Sequence, residues 1–357
     1  MDIRLIAGRD LSPDVVRAWT ELQLGNPELA SPYFTPEFTQ VMAEVRDDVE
    51  VAVIRDGGRI VALLPFQRSG ASLGRPVGGS LSDYHGLVCE PEFECDPRAL
   101  IKACRLAAWD FDHLLASQRS FAPYHRHLEG SPQIDLSAGY DAYVSRRRAA
   151  GSEQIKKTGN LVRRLEREIG PVEFVAHSTD RAMLDQTLAW KSRQYVASGK
   201  PDIFAERWVR SAMERFQLAP AGTCTGILSL VSAGGQLVAG HFGMRSRTVW
   251  HYWFPAYDPA MAKYSPGLIL LLQMAKHASS LGLKTLDLGK GMSLYKERLM
   301  TGSVMVASGS VELPSLLSLG RAAERRLRAL VASSVLAGPA RRLVRRVRAG
   351  SLGGKRS

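Results

Sequence analysis

The order of elements between Thr225 and Leu313 constrains the fold of this chain more than any other feature. Two apolar segments surround Gly234-Gly235, as expected of a β-hairpin with a two-residue turn. A strand rich in aromatic residues, a loop, an apolar helix and a buried strand follow, with the sequences TVWHYWFPAYDP, MAKYSPG, GLILLLQMAKHASSLG and KTLDLGKG. This order places the N-terminus of a helix directly after a central strand of a predicted α/β sheet.

The loop before this helix suits an anionic ligand. Ser265 is predicted to cap the helix and Pro266 to occupy its first position. The first N–H groups of a helix lack intrahelical partners and carry a positive partial charge, which favours a bound phosphate. An ordinary helix cap without a ligand is the alternative interpretation.

The first half of the chain resembles a degenerate copy of the second. VAVIRDGGRIVALLPF aligns with ILSLVSAGGQLVAGHF at a constant offset of 177 residues, which matches Gly57-Gly58 to Gly234-Gly235. ALIKACRLAAWDFDHLLAS then repeats the order of helix and strand. Repetition on this scale predicts duplicated domains, and chance similarity between two Gly-Gly hairpins is the alternative. The predicted divisions are 1–140, 141–313 and 314–357, with one long basic helix from Tyr140 to Ile169.

Composition indicates a folded globular protein. The 357 residues are 45% hydrophobic, and no apolar run approaches the length that crosses a bilayer. The opening MDIRLIAGRDLSPD lacks an apolar core after a basic end, so no signal peptide is expected. Four cysteines without metal spacing favour free thiols in a reducing cytoplasm and no metal site.

The net charge of +12 is concentrated at the C-terminus. Residues 314–357 contain 11 basic residues and one acidic residue, so they carry +10 and leave +2 for the rest of the chain. Apolar residues at helical spacing alternate with these arginines. We therefore predict a basic amphipathic helix that binds an anionic membrane surface, and a helix packed on the protein body is the alternative.

Four segments between residues 145 and 313 carry a family resemblance: RRRAAGSEQIKKTGNLVRRLERE, LAWKSRQYVASGKPDIF, YDPAMAKYSPG and LDLGKGMSLYKERLM. In this order they resemble the acetyltransferase-like domain of the CelD/BcsL group, within the GNAT superfamily and close to the FemAB-type transferases. The resemblance implies an α/β fold of tandem GNAT-like domains, each a central mixed β-sheet flanked by helices, with the first copy degenerate. It also implies an acyl-CoA-dependent transferase in bacterial exopolysaccharide or cellulose biosynthesis.

The residues that could carry this chemistry follow from the resemblance and from ordinary side-chain properties. The candidates for binding the diphosphate of the acyl-CoA are Lys263, Tyr264, Ser265, Pro266 and Gly267, although only Gly267 remains of the glycine-rich loop usual in the superfamily. The catalytic candidates are His241 or Asp287 as general base, Tyr295 as the acid that protonates the departing thiolate, and Lys296 as a contact to an anionic group. Each has an ordinary structural alternative, such as a core histidine or an aspartate that caps a turn.

The acceptor is expected to be a sugar or polysaccharide precursor, with Arg193, Tyr84 and His85 as candidate substrate-binding residues. The enzyme would act in the cytoplasm, near the inner membrane. One alternative is a FemAB-like transferase that uses aminoacyl-tRNA, for which the basic helix offers charge; nucleic acid is otherwise not expected as a partner. A second alternative is a non-catalytic accessory protein of a polysaccharide synthase.

Overall fold

A computed structural model describes residues 1–219, 223–314 and 320–321. Its strands are Asp2–Ala7 (β1), Val49–Asp56 (β2), Arg59–Ser69 (β3), Leu73–Arg75 (β4), Val88–Cys89 (β5), Ala108–Leu115 (β6), His125–Asp135 (β7), Val172–Val175 (β8), Thr225–Ala233 (β9), Gln236–Arg245 (β10), Val249–Tyr257 (β11), Thr285–Asp287 (β12) and Gly302–Glu312 (β13). Its α-helices are Pro13–Gly25 (α1), Pro36–Val45 (α2), Pro97–Ala103 (α3), Tyr140–Ala149 (α4), Gln154–Glu168 (α5), Arg181–Ala197 (α6), Arg207–Leu218 (α7), Pro266–Ser280 (α8) and Leu294–Leu299 (α9).

All the strands belong to one mixed sheet whose two halves repeat each other. The order is β1-β2-β3-β4-β6-β13-β7-β12-β11-β10-β9-β8, and β5 pairs with β3. In each half an antiparallel pair, β1–β2 or β8–β9, leads through a hairpin to a parallel pair, β4–β6 or β11–β12. The described residues therefore confirm the predicted mixed α/β architecture with duplicated halves.

The two hairpin turns have the backbone conformation that their glycines permit. Gly57 and Gly58 have φ of 55° and 83°, and Gly234 and Gly235 have φ of 54° and 78°. Two successive residues with positive φ define the tight turn that matches the twist of paired strands. The sequence pattern thus located both hairpins correctly.

The last strand of each half is exchanged. β7 from the first half pairs with β12, and β13 from the second half pairs with β6. β7 and β13 also pair with each other at the centre of the sheet. The predicted division between residues 140 and 141 falls after the first residue of α4, and the sheet is continuous across the two halves. We call the β7–β13 junction the seam.

The helices cover both faces of the second half. α6 and α7 contact β9, β10 and β11 on one face, whereas α8 contacts the same strands with α5 packed against it. The core beside α6 and α7 also contains residues of α1 and α2, including Trp19 and Phe38, so the first half contributes to the same packing. A core shared in this way fixes the loop after β4 against the second half.

The predicted single helix from Tyr140 to Ile169 is wrong, because the segment forms α4 and α5 with a turn between them. Gly151 in this turn has φ of 78°, a left-handed conformation that ends an α-helix. The amphipathic helix predicted within 314–357 lies almost entirely outside the described residues. Within the described ranges, no helix has the length and apolar character of a transmembrane span.

Candidate active site

The sheet opens beside the second half of β11. β11 pairs with β12 only from Val249 to His251, since β12 ends at Asp287. β11 continues to Tyr257 and keeps β10 as its neighbour on the other side. A pocket of about 380 Å³ occupies this opening and extends from α6 to the start of α8. Its lining residues are Lys191, Gln194, Tyr252, Pro255, Tyr257, Ala262, Ser265, Gly267, Leu268 and Tyr295. We call it the helix-end pocket.

The start of α8 forms one wall of this pocket. Ser265 immediately precedes the helix and Pro266 is its first residue, as predicted, but the Ser265 side chain makes no capping hydrogen bond. Ser265 adopts φ of 50°, which is uncommon for a residue other than glycine. The N–H of Leu268 donates to the Ser265 carbonyl at 2.9 Å. Among the described residues the N–H of Gly267 has no partner, so one amide points free at the helix start.

The other two candidates in the loop turn away from the pocket. The Tyr264 hydroxyl donates to the Glu168 carboxylate at 2.7 Å, and Lys263 Nζ lies 3.3 Å from the same carboxylate. These contacts, led by the Tyr264 hydroxyl and joined by Arg164, lower the pKa of Glu168 to about 2. In this arrangement Lys263 and Tyr264 tie the loop to α5, whereas Ser265 and Gly267 face the pocket.

Tyr295 and its neighbour Lys296 have different surroundings. Tyr295 is half-buried and lines the helix-end pocket, and burial raises the pKa of its hydroxyl. Lys296 Nζ is directed into the turn before α9, where it donates to the carbonyls of Gly289, Lys290 and Gly291 at 2.9, 3.1 and 3.0 Å. Tyr295 is therefore placed to meet a ligand, and Lys296 holds the Gly-Lys-Gly turn.

His241 is fully buried in β10. Its Nε2 accepts the N–H of Trp253 at 3.0 Å, and its ring stacks on Tyr252 with 4.7 Å between centroids. Burial and the nearby charges of His251 and Lys191 lower the pKa of His241 well below its ordinary value. The imidazole is consequently neutral near pH 7, and one of its nitrogens is occupied by the backbone.

Asp287 belongs to a buried cluster in which a histidine lies between two carboxylates. His251 Nε2 is 3.1 Å from Asp83 Oδ2, and His251 Nδ1 is 3.7 Å from Asp287 Oδ1. Burial alone would lower the pKa of His251, but the two carboxylates outweigh it and raise the pKa to about 9. Asp287 Oδ1 also accepts the N–H of Gly289 at 2.8 Å, so it caps the turn as well.

Sequence reasoning missed two members of this cluster. His251 lies within the aromatic-rich segment TVWHYWFPAYDP, and Asp83 immediately precedes the predicted substrate-binding residues Tyr84 and His85. The two residues are 168 positions apart, and only the fold of the loop after β4 brings them together. The alternation of polar and aromatic residues in LSDYHGLV was the one local signal.

Tyr84 and His85 have different surroundings in this loop. Tyr84 is buried near Asp287, and both line a second cavity of about 340 Å³ at the seam. Burial and the Asp287 charge raise the pKa of Tyr84 well above its ordinary value. His85 Nε2 accepts the N–H groups of Asp112 and His113 at 3.2 and 3.1 Å, and burial lowers its pKa to about 3. His85 therefore anchors backbone and does not line either cavity.

On α6, the pocket-facing residues differ from the one selected from the sequence. Arg193 is exposed and lies outside the pocket lining, whereas Lys191 and Gln194 line the pocket. Lys191 Nζ donates to the Pro255 carbonyl at 3.0 Å and lies 5.5 Å from the centre of the Tyr195 ring. The helix-end pocket thus combines a free amide, a tyrosine hydroxyl and a lysine amine, a set suited to group transfer from an anionic donor.

In the described ranges no group of three His, Cys, Asp or Glu side chains is placed to hold a metal ion.

Comparison with known proteins agrees with this geometry. Residues 152–297 match the family model described as Acetyltransferase (GNAT) domain. The match extends from α5 into α9 and includes every residue that lines the helix-end pocket. No protein of curated function matches the chain.

Several solved structures share the fold over most of the chain. The structure of FemX has a TM-score of 0.58 at 10% identity, covering 90% of this chain and 99% of that one. A tandem GNAT protein from the clavulanic acid biosynthesis pathway has a TM-score of 0.51 at 12% identity, covering 88% and 100%. The C-terminal domain of a putative lysylphosphatidylglycerol synthetase from Agrobacterium fabrum has a TM-score of 0.52 at 11% identity, covering 89% and 96%.

At these identities the structures establish the fold and not the substrate. The predicted resemblance is confirmed for the GNAT superfamily, and the CelD/BcsL group stays a prediction. The free amide at α8, the open edge of β11 and the matched segment lie in the same part of the molecule. Residues 152–297 therefore match a GNAT acetyltransferase domain, and this segment is built into a tandem α/β sheet.

Proposed function

We propose that the protein transfers an acyl group, acetyl in the simplest case, from acyl-CoA to a hydroxyl or amine of a sugar or polysaccharide precursor. The observation that carries the proposal is the helix-end pocket, which joins the start of α8 to the open edge of β11 and contains Tyr295. The site of action would be the cytoplasmic face of the inner membrane, reached through the basic residues of 314–357.

The residues at the helix start fit the diphosphate of CoA. Gly267 offers an unpartnered N–H, and Ser265 adds a hydroxyl that is not used as a cap. The positive end of the α8 dipole reinforces both groups. When bound, acyl-CoA supplies a thioester whose carbonyl carbon is attacked by the acceptor.

In this proposal Tyr295, which lines the helix-end pocket, is the acid that protonates the departing sulfur of the thioester. Its hydroxyl has a raised pKa and is protonated at neutral pH, so it can give a proton to the leaving thiolate. α6 closes the opposite wall of the pocket with Lys191 and Gln194. The acceptor therefore has to approach between α6 and the open edge of β11.

Calorimetry with acetyl-CoA tests the binding half of this proposal. We expect binding by the intact chain, and at least about a tenfold loss of affinity in Gly267→Leu, whose side chain would enter the pocket. A matched control is Gly159→Leu on α5, where an added Cβ meets nothing within 4 Å. Absence of binding by the unmodified protein would refute the acyl-CoA proposal.

A FemAB-like transferase using aminoacyl-tRNA remains the second candidate, because the diphosphate site is small. Pro266 has no N–H, and Lys263 and Tyr264 are held by Glu168, so few groups at the loop are left for a diphosphate. Transfer from charged tRNA that is abolished by ribonuclease, together with no response to acetyl-CoA, would favour this candidate. No activity with either donor would favour the accessory-protein alternative.

A further inference from the structure

Lys191 is the only basic residue among those that line the helix-end pocket, and the lining contains no acidic residue. Its described hydrogen bond goes to the carbonyl of Pro255, on the open half of β11. No carboxylate of the described residues lies within ion-pair distance of Lys191 Nζ. The Lys191 side chain is therefore held by an uncharged carbonyl group, in the pocket where the acyl acceptor and acyl-CoA would meet.

The charges around Lys191 disfavour its protonated form. Tyr195 lies beside it on α6, β11 contributes Tyr252 and Tyr257, and α8 contributes no charged group to the lining. The nearby charges are positive: Lys200 follows α6, and Lys296 lies on α9. Burial first, and then Lys200 and Lys296, lower the pKa of Lys191 to about 8. A substantial neutral fraction is consequently present at mildly alkaline pH.

We propose that Lys191 is the general base of the acyl transfer: its neutral amine takes the proton from the attacking hydroxyl or amine of the acceptor. This inference rests on the acyl-CoA function proposed above and goes beyond it by assigning the base.

The step balances with the groups in the pocket. The acceptor oxygen or nitrogen forms a bond to the thioester carbonyl carbon while its proton moves to Lys191 Nζ. The carbon–sulfur bond breaks, and the thiolate takes the proton of the Tyr295 hydroxyl. The protonated Lys191 then releases its proton to solvent, and the Tyr295 phenolate takes up a proton from solvent.

The other candidate bases are less accessible than Lys191. His241 and Asp287 are both fully buried, and neither lines the helix-end pocket. His241 already uses Nε2 to accept a backbone N–H, and Asp287 is engaged with His251 and Gly289. Lys191 is half-buried and reaches the pocket directly.

Three variants separate a base from a simple cationic contact. Lys191→Met removes both roles and should lower kcat by about 10²- to 10⁴-fold, the range typical of general-base catalysis. Lys191→Arg keeps the charge but cannot accept a proton, so it should lose as much activity as Lys191→Met. Activity close to that of the unmodified enzyme in Lys191→Arg would overturn the proposal, because a positive charge alone would then suffice.

The pH profile gives a readout that a structural role would not produce. Lys200 is exposed and lies outside the pocket lining, so Lys200→Gln removes a positive charge without touching the site. The pKa of Lys191 should then rise, and the acidic limb of the kcat profile should move to higher pH with its plateau unchanged. Lys102→Gln, on the exposed side of α3, is the control and should leave the profile in place. A limb that does not move in Lys200→Gln contradicts the proposal.

A measurement without any acceptor completes the test. Lysines labelled by reductive ¹³C-methylation can be titrated by NMR, and the signal lost in Lys191→Arg identifies Lys191. We expect its midpoint near the value of about 8 set by its surroundings. A midpoint near the ordinary lysine value would refute the inference while leaving the proposed function intact. If the unmodified protein does not bind acetyl-CoA, the proposed function is refuted instead.

Discussion

Raising the pH above 7 should weaken the fold through His251. Its pKa is about 9 in the folded protein, because the carboxylates of Asp83 and Asp287 outweigh the effect of burial. In the unfolded chain the pKa returns to an ordinary value of about 6.5. The folded state therefore binds the extra proton, and the resulting stabilisation is complete below pH 6.5 and is lost as the pH rises to about 9.

The size of this contribution follows from the two pKa values. At about 1.4 kcal/mol per pH unit, the difference between the folded and unfolded values gives about 3 kcal/mol. Asp83→Asn removes one of the two carboxylates and leaves Asp287 in place. We expect the contribution of His251 to fall to about half in this variant, so the variant should be about 1–2 kcal/mol less stable at pH 6.

Urea unfolding followed by tryptophan fluorescence at pH 6.0, 7.5 and 9.5 measures the effect. The free energies of unfolding of Asp83→Asn and the unmodified protein should converge as the pH rises, because His251 has lost most of its proton in both proteins by pH 9.5. Lys191 also titrates in this range, but its contribution is the same in both proteins and cancels in the difference. Asp14→Asn, at an exposed ion pair with Arg17, serves as the control and should give a difference that does not change with pH.

A difference between Asp83→Asn and the unmodified protein that stays constant from pH 6.0 to 9.5 would refute this reasoning. Such a result would mean that the cost of the substitution comes from packing or hydrogen bonding and not from the charge of His251. An NMR titration of the His251 ring provides an independent measurement. A midpoint near 6.5 would likewise contradict the inference that the carboxylates of Asp83 and Asp287 raise the pKa of His251.

The remaining predictions concern the seam, the acid and the tail. Gly309→Ala should lower the free energy of unfolding by several kcal/mol in the urea assay, because the added Cβ would lie 2.1 Å from the Tyr124 carbonyl oxygen. Gly302→Ala on the same strand is the control: its added Cβ meets nothing within 4 Å, so its effect should be small. Tyr295→Phe should reduce kcat by about 10- to 10³-fold with an unchanged Kd for acetyl-CoA by calorimetry, and reduced binding with normal kcat would contradict its role as an acid. Deletion of residues 314–357 should abolish sedimentation with anionic vesicles, and unchanged sedimentation would exclude the membrane prediction.

The sequence predicted the parts of the fold that depend on local pattern. The hairpin at Gly234-Gly235 requires positive φ at two successive residues, a constraint that the residues themselves display. The helix start at Ser265 and Pro266 follows in the same way from backbone preferences. The break between α4 and α5 was not predicted, because the basic residues on both sides of Gly151 suggest one continuous helix.

The parts that the sequence did not predict depend on distant pairing. Nothing in the local pattern of β13 specifies that it lies between β6 and β7, since any apolar strand offers the same backbone groups. The contact between Asp83 and His251 depends on the same packing of the two halves. Lys191 was visible in the sequence, but its orientation into the pocket depends on the rotation of α6 against β11, and Arg193 was selected from the same helix.

The strand exchange also affects synthesis on the ribosome. β7 finds both of its neighbours, β12 and β13, in the second half of the chain. A nascent protein that has released residues 125–135 therefore exposes both edges of this strand until residues 285–287 emerge, and one edge until residues 302–312 follow. Unpaired strand edges promote association with other chains, so slow translation or truncation of the second half should leave an intermediate that depends on chaperones.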